Sequence, residues 1–362
     1  MKIQNTTQSN KRIRLTALDS AMANIDDSTG AVAKDAKDVL ICLSPMVEEI
    51  PSNEMHFTTL AGSADYVGQQ GDQILLSDGT TVDVTSTNTT FTFNVPSGKH
   101  KVKLVESVDR SNYVSVGGGA LVELHNFPTL STVTKFNFAT YEYNDLPNLT
   151  KVPNVFPSNI TDIEDLFSYA TNFNQDISMW NVSNVTNMAY MFNNASSFDQ
   201  PLNNWNMSNV TTMRAMFDDA ISFNQPLDNW NVSNVTNMRM VFNNASSFDQ
   251  PLNNWNVSNV TTMAHMFKKA SSFDQPLNNW DVSNVTDMTV MFNEAISFNQ
   301  PLDNWNVSNV TDMYYMFNGA SAFNQDLSQW CVSNFTEHPS TFDLGATSWT
   351  LPRPVWGTCP IG

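Results

Sequence analysis

Beyond residue 118 the apolar positions fall into one order that recurs every 25 residues. Trp180, Trp205, Trp230, Trp255, Trp280, Trp305 and Trp330 mark the period, and Phe192, Phe217, Phe242, Phe267, Phe292 and Phe317 repeat it. A fixed period of this length is the signature of stacked repeats, each with an apolar face it cannot bury alone. In the unit that starts at Leu202, the inward spacing of Leu202, Trp205, Met207 and Val210 begins with the leucine-rich pattern and predicts a short strand. Met213, Met216, Phe217 and Ala220 then follow i, i+3, i+4, i+7, which predicts a short helix with one apolar side. The stretch FNQPLDN around Pro226 turns the chain back. The expected fold class is a mixed β/α solenoid, leucine-rich-repeat-like, whose 25-residue coils each hold a short strand, a short helix and a turn.

Ahead of the array the pattern changes period. Residues 53–117 alternate apolar and polar in MHFTTLAG, DQILLSDGTTVDV, TTFTFNV and KHKVKLVESV, with turn signals at Asp78-Gly79 and Pro96-Ser97-Gly98. They predict a small antiparallel, sandwich-like β-domain. Residues 1–52 are polar with a weak helical pattern (Leu15, Leu18, Met22, Ile25), and are expected to serve docking or oligomerisation. Gly117–Gly119 mark the junction with the array. The solenoid is expected over 118–342, with looser coils at its start. A cap rich in Pro and Trp follows over 343–362, since an open coil end exposes core and unpaired backbone. Cys331 replaces the Asn or Asp of its column and Cys359 lies in the cap. The pair reads either as a disulfide stapling the cap or as two buried free thiols.

Charge narrows the partners. The 362 residues carry 17 Lys and Arg against 35 Asp and Glu, a formal net charge of −18. That balance argues against nucleic acid, whose phosphates need a basic surface, and against adsorption to anionic membranes. No apolar run approaches the ~20 residues that span a bilayer, so membrane insertion is not expected. The opening MKIQNTTQSNKRIRLTALDS lacks an apolar segment, so neither a signal peptide nor an anchor is expected.

The repeated segment SNVTDMxxMFxxAxxFNQPLxxWNVSNVT, which covers roughly residues 120–340, resembles the 25-residue repeat of bacterial surface proteins, a relative of the BspA-like leucine-rich repeats. The β-rich SDGTTVDV…NVPSGKHKVKL is similar to what precedes such arrays. The resemblance implies a leucine-rich-repeat-like solenoid on an exposed surface, working as an adhesin or binding module, and implies no catalytic residues.

Catalysis finds no constellation. His265 is the only histidine of the regular array, and no nucleophile or metal-ligand spacing recurs around it. The expected function is a non-enzymatic, surface-exposed binding or adhesion protein, extracellular or on a virion (tail- or capsid-associated), with a host- or glycan-recognition face. A secreted bacterial adhesin is the alternative, ahead of an ice-binding protein or a polysaccharide-degrading enzyme. The expected partners are a host-surface protein or glycan and, through residues 1–52, a further copy of the chain or virion proteins.

Comparison of the coils with one another locates the face. The columns that vary most are the two after the first Met and the two after the Phe, all expected to point outward on the helix. Their Tyr190, Arg214, Arg239, His265, Lys268, Lys269, Tyr314 and Tyr315 are the candidate partner-binding residues. The tryptophan column sits at an inward position and reads as core rather than as a sugar-stacking stripe. The Asn column of Asn184 and the Thr column of Thr186 read as hydrogen-bond ladders between coils. In the turns, Asp199, Asp228, Asp249, Asp274 and Asp303 each pair with an Asn four residues away. Two readings of those turns stand: calcium held between neighbouring coils by carboxylate and amide oxygens, or a hydrogen-bonded turn. No other cofactor is expected.

Overall fold

The computed structural model describes residues 53–87, 91–104, 113–117, 120–128, 131–138 and 146–360. Residues 1–52, expected as a docking segment, lie outside the described residues. Asn53–Gly362 is one compact unit.

The alternating stretches form strands as their period demands. In chain order these are β1 (Glu54–Thr59), β2 (Gly62–Val67), β3 (Gln73–Leu75), β4 (Thr81–Asp83), β5 (Phe91–Val95), β6 (Gly98–Lys103), β7 (Tyr113–Gly117), β8 (Leu121–Leu124) and β9 (Lys135–Asn137). They build two sheets, ordered β4-β3-β6-β1-β8 and β5-β2-β7-β9. Met55 and Phe57 of β1 and His100 and Val102 of β6 bury the inner face of the first sheet. Gly98 opens β6 at φ +142, and a Cβ there would stand 2.8 Å from the Ser77 side chain, so this corner requires glycine. Strands β8 and β9 fall after residue 117, in the stretch expected to form loose coils. They join sheet to array: β9 pairs in parallel with β7, and the same parallel pairing passes from Lys135 to Asp162, Asn187, Thr212, Asn237, Thr262, Asp287 and Asp312. One hydrophobic core consequently runs from Met55 to Trp349.

The expected mixed β/α solenoid does not form. Among the described residues there is no helix, and no strand forms over 202–210; the regular coils contribute one paired residue each, here Thr212, just beyond that stretch. The inward columns are nevertheless those that the apolar pattern marked. Leu202, Trp205, Met207, Val210, Met213, Met216, Phe217 and Ala220 are all buried. The difference lies in the backbone. Residues 213–220 make two successive tight turns, closed by Met216 N–H to Met213 O at 3.0 Å and Ala220 N–H to Phe217 O at 3.2 Å. The third residue of each turn is left-handed, Ala215 at φ 52 and Asp219 at φ 57. Turns repeating every four residues place i, i+3, i+4 and i+7 on one side, much as a helix does.

A second demand on the backbone decides between the two. In a helix the Phe217 N–H would return to Met213 O. Here Met213, Ala215, Phe217 and Asp219 all donate to the next coil, to the carbonyls of Asn237, Arg239, Val241 and Asn243 at 2.8–3.3 Å. The left-handed residues rotate successive peptides so that these alternate N–H groups point the same way. The same two columns are left-handed in the other regular coils, through Tyr190, Met240, His265, Val290 and Tyr315, and through Asn194, Asn244, Lys269, Glu294 and Gly319. A left-handed residue other than glycine costs about 1–2 kcal/mol. Four intercoil bonds at about 1 kcal/mol each offset two such residues.

Side chains complete the stack. Each buried tryptophan donates its indole N–H to a carbonyl of the coil before, as Trp230 does to Leu202 O at 2.9 Å. Successive indoles lie nearly parallel, Trp280 and Trp305 with centroids 6.5 Å apart and planes 1° off. The Asn and Thr columns tie to the preceding coil, Asn209 Nδ2 to Ser183 O at 2.7 Å and Thr211 Oγ1 to Thr186 O at 3.1 Å. At the far end Trp349 packs edge-on against Phe323, and Arg353 lies 4.6 Å over the Trp349 ring while bonding Asp343 at 2.8 Å. Cys331 and Cys359 are joined as a disulfide across 28 residues of sequence.

Three outcomes follow from this packing. Val290 is β-branched and left-handed at φ 62, so Val290→Gly is expected to hold or raise the unfolding free energy, by up to about 1 kcal/mol, read from thermal unfolding. Val285→Gly, in the fully buried inward column, should lower it by about 2–4 kcal/mol in the same assay. Reduction, or Cys359→Ser, removes a link whose loop-closure contribution is about 3–4 kcal/mol, and should lower the midpoint by several degrees.

Candidate functional site

The candidate partner-binding residues stand on the two turns of each coil, along one edge of the stack. The ladder runs through them: Tyr190 N–H binds Arg214 O, Ala215 N–H binds Arg239 O, Met240 N–H binds Ala264 O, His265 N–H binds Thr289 O and Val290 N–H binds Tyr314 O. Tyr190, Arg239, His265 and Lys268 are half-buried, whereas Arg214 and Lys269 are exposed. Tyr314 and Tyr315 are exposed aromatic side chains of this edge, at 49% and 45%. The Arg214 guanidinium lies over the Tyr190 ring, 5.2 Å from its centroid. Burial raises the Tyr190 hydroxyl pKa, with the Arg214 charge working against it. Burial likewise lowers the His265 imidazole, and the Arg239 and Lys268 charges lower it further. The expectation that all four variable columns point outward is corrected. Ala189, Ala215 and Ala264 are buried, and so is the first column after the Phe at Asn193, Asp218, Asn243 and Asn293.

That inward polar column escaped the sequence reading. Asp218 is 4% exposed and accepts from Asn243 Nδ2 at 2.5 Å. Burial pushes its carboxyl pKa up to about 6, the neighbouring Asp219 charge adds to this, and the Asn243 bond and Lys268 oppose it. Asn243 Oδ1 is buried with no hydrogen-bond partner. Nothing in the apolar period distinguishes an inward polar column from an outward one, because both read as variable polar sites. A second ionic group sits where the array begins. Lys135 bonds Glu164 at 2.7 Å and stands 3.4 Å from Asp162, and beside them burial raises Asp165 to about 6. An open groove of about 570 Å³ lies near β8, lined by His125, Lys151, Pro153 and Gln175 among others.

The Asp and Asn turns have a definite hydrogen-bond role. Asp199 Oδ1 accepts the backbone N–H of Asn224 and the side chain of Gln225, and Asn224, Asp249 and Asp274 serve the next coils in the same way. Only an oxygen acceptor is needed there, so Asn and Asp interchange. In the second column Asn203 Nδ2 donates to Asp228 Oδ1 at 2.9 Å and Asn278 Nδ2 to Asp303 Oδ1 at 3.0 Å. An amide therefore precedes each of these carboxylates. Among the described residues no group of three His, Cys, Asp or Glu side chains is placed to hold a metal ion. No helix of the described residues is long and apolar enough to cross a membrane.

Two stretches, residues 134–255 and 236–350, match the family model described as "Mycoplasma protein of unknown function, DUF285". Together they span more than half of the chain. Comparison with curated proteins found no match.

The buried Asp218 yields a pH prediction. Its carboxyl pKa is raised, so the folded state holds a proton that the unfolded chain releases near pH 3.8. Its contribution to stability is complete below about 3.8 and is lost as pH rises through about 6. Asp218→Asn supplies the residue that the neighbouring coils carry at Asn193 and Asn243. The variant should match the parent near pH 4 and exceed it at pH 7 by up to about 3 kcal/mol, read from unfolding midpoints across that range.

Proposed function

The chain belongs to the family described as "Mycoplasma protein of unknown function, DUF285", and we propose that it is a non-enzymatic binding protein exposed at a surface. One observation carries this reading. Frame residues repeat from coil to coil, and the variation collects on an edge whose backbone is pinned by the intercoil ladder. Side chains on that edge can change without disturbing the stack, which is how repeat scaffolds acquire partners. Tyrosine, arginine and histidine, the residues gathered there, are effective anchors. The likeness of the repeat to the BspA-like leucine-rich repeats supports the same reading. By contrast, the exposed polar columns of Asn206 and Thr211 barely change, and the Thr hydroxyls are spent on the coil before.

The setting that fits best is outside a cell, as a secreted adhesin. The Cys331–Cys359 pair supports it, because disulfides persist in oxidising compartments and are rare in a reducing cytoplasm. A virion protein folded in a host cytoplasm would meet those reducing conditions, which favours the secreted route.

The test is a glycan array with a pull-down from host-surface material, using the full chain and a Tyr314→Ala/Tyr315→Ala variant. Retention of a ligand by the parent, weakened at least tenfold in the variant at equal thermal stability, is expected. Equal retention by both, or cleavage of a bound polymer, would overturn the reading.

A further inference from the structure

The cations of the array are placed unlike everything else in it. Between Lys151 and Arg353 the chain has four Lys or Arg residues, Arg214, Arg239, Lys268 and Lys269, and all four fall on the variable edge in three consecutive coils. His265 stands among them and is the one histidine of those coils. The chain is acidic, yet none of these four cations makes an ion pair among the described residues. Among the described residues Lys99 and Lys103 of β6 share this lack, and the remaining lysines and arginine contrast with it. Lys135 bonds Glu164 at 2.7 Å, Lys151 stands 3.0 Å from Glu123, Arg353 bonds Asp343 at 2.8 Å, and even Lys101 of the exposed β6 lysine row has Glu54 at 3.8 Å. A cation left without a carboxylate on a chain of net charge −18 is a cation available to something else.

Geometry narrows what that is. Coils held by strand-like pairing advance about 4.8 Å each, so the cations form a short row. Carboxylates stand at both ends of the row, Asp219 in the coil of Arg214 and Glu294 in the coil beyond Lys269. A continuous polyphosphate would run over those acids, whereas a chain with discrete anionic groups between neutral stretches would not. Beyond the row stand the exposed Tyr314 and Tyr315, flat faces on which a sugar ring can stack. At the other end the Tyr190 ring holds Arg214 in place.

We infer that this edge recognises an acidic polysaccharide, with Arg214, Arg239, Lys268 and Lys269 meeting its sulfate or carboxylate groups and Tyr314 and Tyr315 carrying its rings. The inference rests on the binding reading of the same edge. Because sibling coils exist, the test variant is safe for folding. Arg214→Ala, Arg239→Ala, Lys268→Asn and Lys269→Asn each introduce the residue found in that column at Ala189 or Ala264, Asn193 or Asn243, and Asn194 or Asn244.

The full chain is assayed for binding to heparin, hyaluronan, single-stranded DNA and phosphatidylserine vesicles, at low and at physiological salt. The parent should bind heparin, hyaluronan or both, at least tenfold more weakly at the higher salt. The fourfold variant should lose at least tenfold at an unchanged unfolding midpoint, and Lys99→Gln/Lys101→Gln/Lys103→Gln should bind as the parent does. Preference for heparin assigns the site to sulfate, and equal binding shows that carboxylate suffices. The inference is overturned if neither polysaccharide binds, if DNA or vesicles bind as well, or if the β6 lysines carry the binding. A neutral ligand lost with the two tyrosines but kept by the fourfold variant would sustain the binding reading and sink this one.

Discussion

The array depends on one constraint: from its two turns a coil must send four alternate backbone N–H groups to the next coil in the same direction, while the Thr N–H, as at Thr211, binds the coil before. A coil of 25 residues has too little apolar surface to stand alone, so its stability resides in the interface with its neighbours. The backbone polar groups at that interface are buried and have to be paired. Four N–H groups per coil do this, and they can all point one way because the peptides between them are turned by left-handed residues. The strain of those residues is local, whereas the bonds they permit extend along the whole stack.

Much of the side-chain chemistry then falls into place. The Asp, Asn or Thr that enters the turns, at Asn187, Thr212, Asn237, Thr262, Asp287 and Asp312, accepts the N–H two residues on, as Asn237 does from Arg239 at 3.0 Å. That bond starts the turn and keeps the short polar side chain out of the ladder. Tryptophan suits its column because a large apolar ring fills the coil centre while its one polar atom reaches the coil before. Phe217 and Phe223, 4.1 Å apart within one coil, stack on their counterparts in the next. The indole bonds and the stacking from one coil to the next have no counterpart in a single coil.

The period, the inward columns and the two-residue alternation of the β-sheets were legible in the sequence, because they reflect burial, and burial is what apolar spacing records. The helix was not. Over eight residues a 3.6-residue period and a four-residue turn period mark the same positions, Met213, Met216, Phe217 and Ala220, and only the destination of the Phe217 N–H separates them. Left-handed backbone usually betrays itself through glycine or asparagine. Here the columns also hold Tyr190, Ala215, Met240 and Val290, whose side chains give no such sign. The assignment of the first column after the Phe to the outside failed for the same reason. A helix would have carried Asp218 to the surface, and the turn carries it inward. The thiol pair stood open in the sequence because spacing alone does not bring Cys331 and Cys359 together; the fold of the cap does.

Departures from local rules often gather at functional sites, and this edge has several: a left-handed valine, a buried carboxylate and a buried amide oxygen with no partner. They are not of equal weight. The left-handed backbone recurs in coil after coil, so it belongs to stacking and says nothing about any one residue. Asp218 is different, since the same place in neighbouring coils is held by a neutral amide that fits without a charge. Its carboxyl lies in the coil of Arg214 and within the influence of Lys268. With its pKa at about 6 the carboxyl is protonated below that pH and mostly ionised at pH 7, where the Lys268 charge favours the ionised form. The burial of Asp218 and the nearby Lys268 charge therefore oppose one another, the first disfavouring its carboxylate and the second supporting it.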